Sequence, residues 1–148
     1  MRPDIDSLWK DCVPAVDCIG RSHDGFHLTG SECLSCGERF LGPQIDCLKC
    51  CARGAMKPVE LGSTGRLYSY TIVHRSFPGV AVPFVMAVVR LDDGPAIRGT
   101  LTGIAPAPEA IRYDMPVRVE FLAADGQKDA ENRPYVAYQF AAASGEAL

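Results

Sequence analysis

The chain has 148 residues, 47% hydrophobic and 22% charged, enough apolar material for one compact unit or a small domain with a metal-stapled appendage, which excludes a disordered tail. Its net charge is −3 and its pI is near 5.6, so the positive field that most nucleic-acid binders need is missing. The longest apolar run, Val80 to Val89, is broken by Pro83 and falls well short of the roughly 20 residues of a membrane-spanning helix.

The opening Met1-Arg2-Pro3-Asp4-Ile5-Asp6 lacks the apolar core of a secretory leader, so a cytoplasmic location is expected. Ile5, Leu8, Trp9 and Cys12 recur at i, i+3, i+4 and i+7, which predicts a short helix over Asp4–Cys12 ended by Pro14. Two turns are marginal alone and must dock on something. Trp9, the only tryptophan, is the natural anchor, either on its own domain or as an aromatic contact to a partner. Val13 to Asp24 has no period and reads as loop, and Phe26 to Thr29 reads as a short strand leading into the cysteine module.

After Lys57-Pro58 strand signals dominate, at Gly65 to His74, Phe84 to Leu91, Ala96 to Leu101, Val117 to Leu122 and Tyr135 to Ala141. Asp92-Asp93-Gly94-Pro95 marks a turn, a single helical turn is expected near Glu109 to Ile111, and Ala123 to Pro134 reads as an exposed hairpin loop. The final Ala-Ala-Ala-Ser-Gly-Glu-Ala-Leu reads as a frayed tail. Five such strands suggest a small closed barrel. The expected organisation is an N-terminal helix and loop over 1–25, a cysteine module over 26–57 and a barrel over 58–148.

Seven cysteines are an odd number for a disulfide framework, and four of them form two tight pairs, Cys33-x-x-Cys36 and Cys47-x-x-Cys50, separated by ten residues. Each pair makes a knuckle with both thiolates on one side of a turn, so two facing knuckles supply four tetrahedral ligands. Four thiolates leave no open position for water or substrate, which predicts structural zinc; iron in a rubredoxin-like site is the rival ion. Gly37 follows the first knuckle, but Cys51 follows the second, where positive φ strains any residue except glycine. The second knuckle is therefore expected to have altered geometry, with Cys51 able to substitute for Cys50 as ligand. Cys12 reads as a buried core thiol.

Other chemistry is sparse. His74-Arg75 closes the first long strand and could face a ligand or partner at a barrel mouth, or simply be solvated. His23 and His27 are not needed as ligands beside four cysteines. No serine sits in a G-x-S-x-G elbow, and P-loop and G-x-G-x-x-G elements are absent, so no catalytic residue is assigned.

The order of helix, four-cysteine ribbon and five-stranded barrel resembles the acyl-CoA-associated DUF35 family, from Phe26 to about Phe140. The resemblance rests on both cysteine pairs, on Gly65-Arg66-Leu67-Tyr68-Ser69-Tyr70-Thr71-Ile72-Val73-His74-Arg75, on Pro83 to Val89, on Leu91 to Pro95 and on Gly99-Thr100-Leu101-Thr102-Gly103. It implies a mainly β protein with a short N-terminal helix, a rubredoxin-like zinc ribbon and an OB-fold barrel. It also implies a non-catalytic accessory subunit in a heteromer, such as α2β2, with a thiolase-fold enzyme. Coenzyme A thioester would enter only through the partner, and the barrel face around His74 and Arg75 would lie near the acyl-CoA or the subunit interface.

An aromatic or dicarboxylic acyl-CoA thiolase, such as one for benzoylsuccinyl-CoA, is the partner this resemblance suggests first, and a steroid side-chain retro-aldolase is the alternative. A single-stranded nucleic-acid-binding OB module is the reading from another class, with Tyr68, Tyr70 and Phe77 near only Arg66 and Arg75. The chain departs from the family at Cys51, where glycine is expected, and in a longer Trp9 to Gly25 segment.

Overall fold

The computed structural model describes residues 13–22 and 25–143. The helix expected over Asp4–Cys12, Trp9 with it, Cys12, His23 and the tail beyond residue 143 lie outside these residues. Among the described residues there is no helix, so the expected fold class, mainly β with a helical element, is corrected to ten strands and connecting turns. The helical turn expected near Glu109 to Ile111 is also only a turn, with Ala107 N–H donating to Ala105 O at 2.8 Å and Ala110 N–H to Ala107 O at 3.0 Å. Pro106 and Pro108 lack the N–H groups that would let a helical ladder propagate. No helix of the described residues is long and apolar enough to cross a membrane.

The strands are β1 (Val13–Pro14), β2 (Ile19–Ser22), β3 (Gly25–Cys33), β4 (Arg39–Leu41), β5 (Met56–Leu61), β6 (Thr64–Val73), β7 (Phe84–Leu91), β8 (Ala96–Thr102), β9 (Pro116–Lys128) and β10 (Pro134–Ala142). They fall into two compact units, one from Met1–Leu61 with Phe121–Tyr138 and one from Gly62–Glu120 with Gln139–Leu148.

In the first unit β3 is the hub. It runs antiparallel to β5 from Leu28↔Leu61 to Cys33↔Met56, to β2 through Gly25 to Leu28, and to β4 through Gly30 to Glu32. Gly30 permits this crowding, because a Cβ there would lie 2.5 Å from the Phe40 carbonyl oxygen and 3.0 Å from Leu61 Cδ1. Glu32, in register with both Arg39 and Lys57, accepts from each at 3.0 Å and ties the three strands. Ile19, Leu28 and Leu61 are buried, and Phe26 packs on Phe121 with ring centroids 6.0 Å apart.

Several of these strands are not foreseen by periodicity. The segment read as loop contains β1 and β2, too short for a period, and β1 pairs parallel with β10 through Val13↔Tyr135 and Pro14↔Val136. β5 contains Pro58, which reads as a break, yet β5 pairs only with β3 and an edge strand tolerates a missing N–H.

The second unit holds β6, β7 and β8 with the adjoining ends of β9 and β10. β6, β7 and β8 form an antiparallel meander; β9 pairs with β6 through Thr64↔Arg118, Gly65↔Val117 and Arg66↔Pro116, and β10 pairs parallel with β8 through Phe140↔Leu101. The β9–β10 pairing closes the circuit into an OB-like five-stranded barrel. β7 shows why the sequence folds this way: Val85, Ala87, Val89 and Leu91 are buried while Arg90 between them is exposed. Leu67, Ile97, Leu101, Val117 and Phe140 complete the core from the neighbouring strands. β9 continues to Lys128, so most of the expected 123–134 loop belongs to the hairpin arms and the connection is only 129–133.

Candidate metal centre

Cys33 ends β3 and Cys36 follows in the turn before β4, while Cys47 and Cys50 form a second turn before β5. The four Sγ atoms lie within 4.8 Å of one another. Cys33 Sγ is 3.7 Å from Cys50 Sγ, and Cys36 Sγ is 3.6 Å from Cys47 Sγ. Those distances are far too long for disulfides. They match the edge of about 3.8 Å of a tetrahedron whose metal–sulfur bonds are about 2.3 Å. The cluster could hold a metal ion.

The two knuckles repeat one hydrogen-bond pattern. Cys33 Sγ accepts from Ser35 N and Cys36 N, both at 3.4 Å, and Cys47 Sγ accepts from Lys49 N at 3.3 Å and Cys50 N at 3.4 Å. Cys33 O accepts from Gly37 N at 2.9 Å, and Cys47 O accepts from Cys51 N at 3.1 Å. Gly37 has φ 79° and Cys51 has φ 64°, so the cysteine occupies the left-handed position that glycine takes in the first knuckle. The expected distortion of the second knuckle is therefore absent: the hydrogen bonds of the turn hold Cys51 in the strained region. Cys51 is exposed and is not one of the four clustered sulfurs.

In each knuckle the first cysteine is buried and the second exposed, with Cys33 at 1% and Cys47 at 3% of their full surface. Their electrostatics differ in the sense opposite to burial, because backbone N–H groups converge on the buried sulfurs. Donation from the Cys50 backbone N–H, reinforced by Lys49 N–H, lowers the Cys47 thiol to about 6. Donation from Cys36 N–H outweighs burial and lowers Cys33 as well. At Cys36 one backbone donor at Glu38 pulls down, but burial and the neighbouring sulfurs together push the thiol up to about 12. Four sulfurs this close cannot all ionise without a cation among them.

Two supports escaped the sequence reading. Lys49, inside the second pair, reaches Glu38, just beyond the first, with Nζ 2.8 Å from Oε2, and this ion pair clasps the knuckles together. Glu38 and then the nearby sulfurs raise the Lys49 ammonium above its usual range. Opposite charges two residues past Cys36 and two past Cys47 were the available signal. Buried Ser31 donates through Oγ to Gly42 O at 2.8 Å and accepts from Gln44 N at 3.0 Å, fixing the approach to the second knuckle.

The remaining candidates take other roles. His27 lies on β3 outside the sulfur cluster, its Nδ1 4.0 Å from Glu60. Cys18 is a buried thiol, raised chiefly by burial. His74 and Arg75 are exposed in the barrel unit, directly after β6, in a connection that also exposes Phe77 at 83% together with Val80 and Val82. Leu34 and Leu48 occupy equivalent exposed positions at the two knuckle tips.

Comparison with known proteins extends across this arrangement. The family model described as ChsH2, C-terminal OB-fold domain, matches residues 58–122. A DUF35 domain-containing scaffold protein of Methanothermobacter thermautotrophicus is 31% identical over 84 residues, covering 55% of this chain and 62% of that protein. The chain thus matches less than two thirds of that relative's length. Benzoylsuccinyl-CoA thiolase subunit BbsA of Geobacter metallireducens is 25% identical over 139 residues, 94% of this chain and 88% of that one. Among solved structures, the Ltp2-ChsH2(DUF35) aldolase is similar with a TM-score of 0.61 and 30% identity, covering 78% of this chain and 84% of that chain. With its cysteine cluster, its OB-like barrel and these relatives, the chain belongs to the DUF35 family.

Proposed function

We propose that the chain is a non-catalytic, zinc-binding accessory subunit of a heteromeric thiolase-fold acyl-CoA enzyme, needed for that enzyme's assembly and activity. The observation that carries this reading is the likeness to the benzoylsuccinyl-CoA thiolase subunit over 94% of this chain. The reaction is then C–C cleavage by the partner, with an aromatic or dicarboxylic acyl-CoA as substrate. Cys33, Cys36, Cys47 and Cys50 would hold one zinc ion, which stabilises the ribbon and supplies no open coordination site. Exposed apolar residues at the knuckle tips of the first unit and, separately, in the 74–83 connection of the second, with His74 and Arg75, support an interaction surface on each unit. Thiolate ligands suit a reducing, cytoplasmic compartment.

Retro-aldol cleavage of a branched acyl-CoA side chain is the second reading, favoured by the likeness to the aldolase structure. Purification of the tagged chain from its native host tests the proposal. A stoichiometric thiolase-fold subunit and an acyl-CoA-cleaving activity that fails without this chain are expected. A chain that purifies alone, or with nucleic acid, overturns it. Thiolysis consumes free coenzyme A and retro-aldol cleavage does not, so the coenzyme A balance separates the two reactions. A colourless protein with one zinc per chain is expected, whereas a coloured iron protein would replace structural zinc with an electron carrier.

A further inference from the structure

Arg66 and Arg90 stand directly opposite each other on β6 and β7. Like charges in that relation weaken a sheet unless something neutralises them. Among the described residues neither guanidinium has a carboxylate within ion-pair distance. Arg66 Nη1 donates to the Asp114 carbonyl at 3.2 Å, and Arg90 lies over the Tyr68 ring, 5.3 Å from its centroid. In a chain of net charge −3, this juxtaposition is unusual.

Tyr68 shares the exposed face of Arg66, two residues on in a strand whose burial alternates from Thr64 to Tyr68, and it sits at a backbone irregularity. The β6–β7 register shifts between Leu67 and Ser69, and a bulge of this kind re-aims the residue it contains. The residue is 61% exposed, with a cation on its ring. These side chains, with Leu91, Asp92 and Asp114, line a cleft of about 380 Å³, a size that takes a small molecule.

The cleft has three chemical demands. Two adjacent guanidinium groups fit an anion with several oxygens, as in a diphosphate, better than a single carboxylate. The exposed tyrosine offers a stacking face to a planar heterocycle. Asp92 and Asp114 add acceptors that repel a bare anion but suit hydroxyl or amino groups farther along the same ligand. Asp92 already accepts from Thr64 Oγ1 at 2.6 Å, which orients it.

We propose that this cleft binds a nucleoside 5′-diphosphate, the phosphates between Arg66 and Arg90, the base on Tyr68 and the ribose toward the aspartates. The site lies in the barrel unit alone, its nearest β6 residue, Tyr68, six residues from His74, which is about 20 Å of extended chain. It stands whether or not the partner reading does.

The test is calorimetric titration of the intact chain with ADP, adenosine, pyrophosphate and a single-stranded oligonucleotide at physiological salt. ADP is expected to bind saturably, with adenosine and pyrophosphate each at least tenfold weaker. Arg90→Gln and Tyr68→Ala should each weaken ADP at least tenfold, while Arg53→Gln, the same charge change in the ribbon, leaves it unchanged. Both altered side chains are exposed, so unchanged circular dichroism is expected. Absence of saturable ADP binding, or ADP binding indifferent to Arg90→Gln, overturns the proposal. Pyrophosphate binding as tightly as ADP reduces the cleft to an anion patch, and tighter oligonucleotide binding lost in the same variants makes it a polynucleotide surface; either result also overturns it.

Discussion

Cys51 sits at φ 64°, where a side chain costs about 1 kcal/mol relative to glycine. Because Cys51 is exposed and outside the sulfur cluster, Cys51→Gly should leave zinc content unchanged and raise stability by roughly 0.5–1 kcal/mol, read by chemical denaturation. Cys33→Ala or Cys47→Ala should instead give metal-free or insoluble protein; soluble protein retaining full zinc would show that the four sulfurs are not the ligands. The thiol shifts also set a pH dependence. Without metal, Cys47 ionises near 6 while Cys36 keeps its proton to about 12. Metal binding must expel the Cys36 proton, so zinc affinity should fall as pH is lowered from 8, and more steeply below about 6 where Cys47 also takes up a proton. Competition with a zinc chelator across that range measures it, and a flat profile would contradict the assignment. Glu32 titrates with the opposite partner chemistry: Lys57 and then Arg39 lower its carboxyl below 4.5, so its contribution is present above that pH and lost as pH falls through the lowered value. Glu32→Gln should flatten that acid limb of the unfolding profile.

Strands β3, β6 and β7 are each organised by one close approach. At Gly65 on β6 a Cβ would meet the Arg90 carbonyl oxygen at 2.5 Å and Val89 Cγ1 at 2.9 Å, so neither the partner backbone nor the core side chain can yield cheaply. Gly65→Ala should cost on the order of 1–3 kcal/mol, as core overpacking does, and should broaden the barrel's thermal transition. The ribbon's counterpart is Ser31, the one buried polar side chain among the described residues, whose hydroxyl both donates and accepts. Ser31→Ala leaves the Gly42 carbonyl and the Gln44 N–H without this partner, which should cost about 1–3 kcal/mol. Legibility at this scale followed strand-forming composition and the turns that bound it. β7 is marked in the sequence by a nearly unbroken apolar run, Phe84 to Leu91, that ends at a turn, and its alternation appears only in burial, whereas β5 carries Pro58 and only one buried residue, Leu61. β5 forms because β3 lies beside it, a fact its own residues do not carry.

As a whole molecule, the chain divides into a unit that carries the four-sulfur cluster and a unit that carries most of the buried apolar residues. Structural zinc sites contribute about 10–16 kcal/mol of apparent binding free energy in peptides. Chelation should therefore remove amide protection from β3, β4 and β5 while β6, β7 and β8 stay protected in hydrogen exchange; simultaneous loss in all six strands would show that the units unfold as one. The sequence alone determined the cysteine spacing, hence the four-sulfur cluster, and the β-branched, aromatic and apolar runs between turns that become the barrel strands, because both signals are local. Tertiary structure decided the rest. The parallel pairing of β1 with β10 joins residues over 120 positions apart, the second knuckle keeps its form despite Cys51 because its hydrogen bonds impose the backbone, and the Arg66–Arg90 juxtaposition depends on strand register beside a bulge. Register and crossing distance are set by contacts between segments remote in the chain, so no local pattern in the sequence contains them.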